Sequence, residues 1–222
     1  RNVEQDKDAA AAAARAFVED QVDLILSLGT GSTLAAIAAT RESQIPVIFT
    51  IVGAPVATSI IESYEDPGRN VTGVTMKIPL DEQFGYLQEL LPNLGTLGIL
   101  YCSEMPQAVA TGGEAAASVA RFGWQKQISM LTINELPYLG QRVDELSRVV
   151  DAIYVPTDPI LGTPENMKLI LDITDRLKVP VFGVARKFVE HGVLAAVHSD
   201  FYELGRQTGE PVSQVLAGVD VR

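Results

Sequence analysis

The chain contains 222 residues, of which 47% are hydrophobic, and this is enough to bury one large core or two modest ones. Asp and Glu number 28 against 17 Lys and Arg, so the formal net charge of -11 repels phosphate backbones and anionic membrane surfaces and argues against nucleic acid as a partner. The single cysteine, Cys102, excludes an internal disulfide and a multi-cysteine metal cluster, and the lack of any bilayer-length apolar run argues against membrane insertion of this segment.

Short apolar runs alternate with longer segments of helical period, which is the pattern of βα units and a parallel sheet. Most of the runs lack polar alternation, as strands buried on both faces do. The predicted strands are residues 23–29, 47–53, 71–76, 97–102, 125–131, 152–158, 180–185 and 193–200. The predicted helices are residues 7–19, 32–39, 57–64, 80–91, 108–122, 139–149, 165–177 and 202–216. The sequence therefore predicts an α/β fold.

The predicted units fall into two groups. The strand at residues 71–76 is not followed by the usual tight turn, and a new series of βα units begins at Leu97. A second crossing is expected near residues 199–201, where the last strand leads into the final helix. We therefore predict two Rossmann-like lobes with parallel sheets joined by a hinge. The N-terminal lobe is residues 1–76 plus 200–222, and the C-terminal lobe is residues 77–199.

Ligands of open parallel sheets bind beyond the carboxyl ends of the strands, so the residues that follow each strand are candidates for a site. Thr30, Gly31 and Ser32 follow the first predicted strand, and their backbone amides and two hydroxyls could receive a carboxylate or another polar group. Ser32 could instead be the N-cap of the next helix. A dinucleotide fingerprint is rejected because its third small position falls on Leu34 and no acidic residue ends the next strand.

The other predicted strands also end in candidate ligand-binding residues, which we expect to face one crevice between the lobes. Asp158 could hold a ligand amine or hydroxyl, or could form a turn or a helix cap. Arg186 could pair with a ligand carboxylate or could be solvated. These further candidates are Gly53, Ala54, Thr75, Met76, Ser103, Thr157, Asp158 and Arg186.

Catalytic motifs are absent from the sequence. His191 and His198 are the only histidines and do not have the spacing of a metal site. There is no GxSxG nucleophile motif, and Cys102 has no recognisable base. We therefore expect no enzymatic activity, no metal and no cofactor.

Several stretches resemble, in order and over essentially the whole chain, the ABC transporter substrate-binding proteins of the tryptophan/tyrosine type. The most specific are PGRNVTGV at 67–74 and YELGRQTGE at 202–210. The resemblance implies a type I periplasmic-binding-protein fold, a periplasmic or extracytoplasmic location in lipid-anchored or soluble form, and delivery of a small-molecule ligand to an ABC transporter permease. It also implies that the first lobe lacks its initial strand-helix-strand and that a short tail follows Arg222.

The pocket motifs of this family match only in part. Thr30 and Ser32 match the loop that holds the carboxylate end of the ligand in members that bind aromatic amino acids, and 157–158 match the Pro-Thr-Asp turn. Family members commonly carry Thr-Asp where this chain has 53–54, and Ser-Asp where it has 75–76. Our hypothesis is that the ligand resembles an amino acid less than the family average does, and is a carboxylate or a neutral aromatic or apolar compound.

The expected function is capture of a solute by hinge closure, performed by a monomer. A second reading is the extracytoplasmic ligand-sensing domain of a membrane signalling protein. A third is a Rossmann-type enzyme that acts on a sugar or nucleotide, and a fourth is the core of a sugar-responsive transcription regulator.

Overall fold

A computed structural model describes residues 1–3 and 6–220 of the chain. The chain divides into two compact units: unit 1 is Arg1–Lys77 with Ser199–Arg222, and unit 2 is Ile78–His198. The predicted N-terminal lobe includes positions 4, 5, 221 and 222, which lie outside the described residues. Among the helices of the described part, none is both long and apolar enough to cross a membrane.

Helices and strands alternate along most of the chain. Two 3₁₀ segments, Val119–Phe122 and Ile133–Tyr138, flank the fifth strand. In chain order the elements are α1 (Lys7–Glu19), β1 (Ile25–Leu28), α2 (Thr30–Ala39), β2 (Val47–Val52), β3 (Val71–Thr75), α3 (Leu80–Leu90), β4 (Thr96–Cys102), α4 (Pro106–Ser118), β5 (Gln125–Leu131), α5 (Leu139–Ser147), β6 (Ala152–Tyr154), α6 (Pro164–Leu177), β7 (Val181–Gly183), α7 (Arg186–Glu190), β8 (Ala195–Ala196) and α8 (Phe201–Leu216).

Unit 1 contains a three-stranded parallel sheet in the order β1-β2-β3. Phe49 of β2 belongs to a buried cluster that also contains Ile37 of α2. The neighbouring Thr50 points to the opposite face because side chains alternate along a strand, and there its hydroxyl lies 3.0 Å from that of Thr208 in α8. Helices therefore pack on both faces of this sheet.

Unit 2 contains a five-stranded parallel sheet in the order β5-β4-β6-β7-β8. Leu100 and Ile153 pack in one buried cluster with residues of α5 and α6. Ile99 and Tyr154 pack on the other face with residues of α3 and α4. The central strands are buried on both faces, which explains why their sequences lack polar alternation.

The predicted α/β class with parallel sheets is confirmed, and five local elements differ from the prediction. No helix forms at 57–64, because Ser59 adopts a φ of 58°, outside the helical region, and the Ser63 hydroxyl accepts the amide of Asp66 in a turn. The strands predicted at 152–158, 180–185 and 193–200 are shorter than predicted. The helix α7 was not predicted.

Candidate functional site

The carboxyl ends of β1, β2 and β3 form one candidate region, which we call the unit 1 edge. Gly29 is the N-cap of α2, and its φ of 83° lies in the left-handed region that glycine adopts without steric cost. Its amide donates to the Thr50 carbonyl at 3.0 Å, and its carbonyl accepts the Thr33 hydroxyl at 2.8 Å. These bonds fix the first turn of α2 to the ends of β1 and β2.

The first turn of α2 offers hydrogen-bond donors that no side chain of the described residues caps. Its amides and the positive end of the helix dipole can therefore receive an anion or another acceptor. Thr30 as a residue is 8% exposed, and no hydrogen bond within the described part of the chain engages its hydroxyl. The hydroxyl oxygen is open to water, because every buried side-chain polar atom there has a partner. Gly31 is exposed, with no neighbouring atom within 4 Å of where a Cβ would lie.

Ser32 is half-buried inside α2 and is not the N-cap. The alternative prediction that it caps this helix is therefore wrong, because α2 begins two residues earlier than the sequence pattern indicated. The positive φ of Gly29 lets the chain turn directly from β1 into the helix. This leaves the side chain of Ser32 in the first turn, close in sequence to Thr30.

A β-bulge shapes the end of β2. Ile51 has a φ of 57°, and the pairing of β2 with β3 shifts register between Phe49 and Val52. A β-branched residue rarely adopts this conformation, and bulges often redirect a strand next to a functional site. Gly53 and Ala54 are buried directly beyond the bulge.

The end of β3 completes the unit 1 edge. The Thr75 hydroxyl donates to the Val52 carbonyl at 2.8 Å and accepts the Lys77 amide at 3.1 Å, so it is already used within the fold. Met76 is half-buried, and its carbonyl accepts the Ser199 hydroxyl at 3.0 Å. That bond holds the start of α8 beside the end of β3.

The carboxyl ends of β4 to β8 form a second region, which we call the unit 2 edge. Asp158 is 4% exposed and its carboxylate is surrounded by backbone amides. Oδ2 accepts the Cys102 amide at 2.6 Å, and Oδ1 accepts the amides of Ile160 and Leu161 at 2.9 and 3.0 Å. Asp158 therefore forms a turn and links that turn to the end of β4. Turn formation was one of the two roles that the sequence predicted for this residue.

Burial controls the electrostatics at this point of the unit 2 edge. The loss of solvation raises the pKa of Asp158, although the three backbone hydrogen bonds oppose that rise. Burial also raises the pKa of the neighbouring Cys102 thiol, which the Asp158 charge reinforces. Cys102 is fully buried, so it is a packed side chain and not an exposed nucleophile.

The other candidates of the unit 2 edge differ in how they are engaged. The Ser103 amide and hydroxyl both donate to the Leu131 carbonyl, at 2.8 and 3.3 Å, and so join the ends of β4 and β5. Thr157 is half-buried, and its hydroxyl makes no hydrogen bond within the described residues. Arg186 is the first residue of α7. Its side chain is 80% exposed, and its Nε lies 3.5 Å from Oε1 of Glu190.

Three residues at the two edges were not among the candidates. Lys77 and Glu104 directly follow Met76 and Ser103, so their places at strand ends were readable from the sequence. The bulge at Ile51 had no such signal, because isoleucine normally favours regular strand geometry.

Each unit contains a parallel sheet with helices packed on both of its faces. Comparison with solved structures shows that this is the type I periplasmic-binding-protein fold. The leucine-binding protein LivK from Thermotoga maritima matches with a TM-score of 0.65 and 18% identity, covering 86% of this chain and 54% of that chain. This likeness concerns the fold alone. An ABC domain from Streptococcus pneumonia, solved in complex with L-Trp, matches with a TM-score of 0.85 and 27% identity over 99% of this chain and 72% of that one.

The sequence comparisons give the family. The profile described as "ABC transporter substrate binding protein" matches residues 1–222, so the chain belongs to this family. A tyrosine-binding protein of Clostridioides difficile (strain R20291) is 28% identical over 224 residues. The alignment covers 100% of this chain and 62% of that relative.

Proposed function

We propose that this chain is the solute-binding part of an extracytoplasmic protein, soluble or lipid-anchored, that passes a small organic molecule to an ABC transporter permease. Family membership over residues 1–222 supports the proposal. Relatives named for tyrosine binding and solved with L-Trp support a small organic ligand. The protein acts as a monomer and by binding alone, without making or breaking a covalent bond.

The first turn of α2 carries this proposal. The hydroxyl of Thr30 belongs to a largely buried residue but stays open to water, and it makes no hydrogen bond within the described residues. It lies in a turn whose amides no side chain caps. A hydroxyl and uncapped amides that are open to water can exchange that water for a ligand oxygen, so an acceptor group fits this turn. The ligand is therefore held here by an acceptor group such as a carboxylate.

The remaining candidates complete the binding contacts in this proposal. Asp158 acts through its turn, which holds Thr157 in place, because all three of its hydrogen bonds go to backbone amides. The proposed contacts are Thr30, Gly31, Ser32, Gly53, Ala54, Thr75 and Met76 at the unit 1 edge, and Ser103, Thr157 and Arg186 at the unit 2 edge, where Asp158 supports the turn that carries Thr157.

A substitution at Thr30 tests the proposal. A thermal-shift screen against amino acids, aromatic acids and sugars first identifies a ligand, and titration calorimetry then measures its affinity. Thr30→Val removes a hydrogen bond to a charged group, worth about 1.5–3 kcal/mol, so affinity should fall by about 10- to 100-fold. The melting temperature of the free protein should not fall, because the hydroxyl bonds no group in the described fold.

Ser43→Ala is the matched control, because Ser43 lies between α2 and β2 at the opposite edge of the same sheet. This variant should bind as the unaltered chain does. Equal affinities for the two variants, or no ligand among the three classes, would contradict the proposal.

A further inference from the structure

The unit 1 edge has no buried carboxylate among the described residues. The residues that follow its three strands, 29–32, 53–55 and 76–77, include neither Asp nor Glu. Asp200 lies nearby at the start of α8, but its Oδ1 accepts the amides of Tyr202 and Glu203 at 2.8 and 3.0 Å. That carboxylate is the N-cap of its own helix.

Two carboxylates of the unit 2 edge are also occupied. Both oxygens of Asp158 accept backbone amides. Glu135 accepts the amide and hydroxyl of Thr132 at 2.8 and 3.0 Å, and the guanidinium of Arg142 at 3.1 Å. Glu104 has no such bond within the described residues, but its side chain is exposed to water, which weakens any attraction to a ligand cation.

Donor groups, in contrast, are available at the unit 1 edge. The first turn of α2 is uncapped, and the hydroxyl of the largely buried Thr30 makes no hydrogen bond within the described residues and is open to water. Met76 adds a half-buried apolar contact on the same edge. The edge therefore suits an acceptor with an apolar body.

We propose that the ligand is an organic acid with an apolar body and without an ammonium group. An ammonium taken out of water needs a carboxylate or several acceptors, and it otherwise loses several kcal/mol of solvation. Among the described residues of the two edges the one buried carboxylate, Asp158, already accepts three backbone amides. An ammonium would therefore depend on exposed carboxylates and neutral acceptors, which repay less of that loss. This inference rests on the proposed function and names the substrate class of the same site.

Matched ligand pairs test the inference. Titration calorimetry compares L-tryptophan with indole-3-propionate, L-tyrosine with 3-(4-hydroxyphenyl)propionate, and L-leucine with 4-methylpentanoate. Within each pair that binds, the acid without the amine should bind at least tenfold more tightly. An amino acid that binds as tightly as its partner, or binding of uncharged solutes alone, overturns the inference while the proposed function stands. If nothing in these pairs or the wider screen binds, both fail.

A charge added at Met76 gives a second readout. Met76→Asp places a carboxylate at the end of β3 and should shift the affinity ratio of each pair at least tenfold towards the amino acid. Met76→Asn is the control of nearly equal shape without the charge, and it should leave the ratio unchanged. If the two variants show the same ratio, the electrostatic explanation is wrong.

Discussion

At the scale of single residues, two aspartates join the same strands at opposite ends. Asp158 links the turn after β6 to the end of β4, as described above. Asp151 links the start of β6 to the start of β4, because its Oδ2 accepts the amides of Gly95 and Thr96 at 3.0 and 2.7 Å. Asp158 is buried and Asp151 is exposed. The same interaction is therefore made in two different environments.

Removing these carboxylates should have unequal effects. Asp158→Ala leaves buried amides without an acceptor, so the free energy of unfolding should fall by at least about 2 kcal/mol. Asp151→Ala leaves amides that water can reach, and the loss should be below about 1 kcal/mol. Urea titration of both variants checks the difference. Equal losses would show that the burial of Asp158 is not what makes its bonds important.

The raised pKa of Asp158 predicts a pH dependence of stability. The folded state holds the proton of the Asp158 carboxyl more tightly than the unfolded state does. Its contribution to the free energy of unfolding is therefore full below the ordinary Asp pKa of about 3.9, and it is lost as pH rises through the higher pKa of the folded state. Glu203 acts oppositely: hydrogen bonds from Arg206 lower its pKa to about 2, so its contribution is lost as pH falls towards that value.

The experiment measures the free energy of unfolding against pH for the unaltered chain, Asp158→Asn and Glu203→Gln. As pH rises above about 3.9, the free energy of unfolding of the unaltered chain should fall relative to that of Asp158→Asn. The difference for Glu203→Gln should move the other way. A flat Asp158 difference contradicts the assigned pKa shift.

At the scale of elements, α8 is attached to β2 across a long stretch of sequence. The Thr208 hydroxyl lies 3.0 Å from the Thr50 hydroxyl and also donates to the Leu204 carbonyl at 2.6 Å. Thr208→Val deprives the buried Thr50 hydroxyl of this partner, and the free energy of unfolding should fall by about 1–2 kcal/mol.

Thr111→Val in α4 is the control, because the Thr111 hydroxyl bonds only the Gln107 carbonyl of its own helix, at 2.7 Å. Its loss should be smaller, and denaturant unfolding measures both variants. If Thr208→Val were no more destabilising than this control, the contact between α8 and β2 would not contribute to stability.

Most elements could be predicted from the sequence, and the exceptions have local causes. The helix at Lys7–Glu19 and the strand at Gln125–Leu131 have the predicted bounds. The helix contains a run of alanines, which have the highest helix propensity, and the strand follows a turn at Gly123, whose φ is 74°. The segment 57–64 carries apolar residues at helical spacing, but Ser59 adopts a left-handed φ and the Ser63 hydroxyl bonds the Asp66 amide, which favours turns.

At the scale of the whole molecule, the sequence could predict where candidate residues lie but not what they contact. Parallel strands align their carboxyl ends, which is why Thr30 and Met76 lie just beyond β1 and β3 as predicted. Asp158 lies farther along the chain, in the turn after β6, because that strand already ends at Tyr154. The bond between Asp158 and the Cys102 amide joins residues far apart in sequence, and no local pattern encodes it. The assignment of these residues to ligand binding stays a prediction.

The most direct test of the central claim is native mass spectrometry of the chain after incubation with the solute panel. We expect a bound small organic acid to be retained by the unaltered chain and by Ser43→Ala, and to be lost from Thr30→Val. An unaltered chain that retains no solute, or a Thr30→Val variant that retains it equally well, would contradict the account.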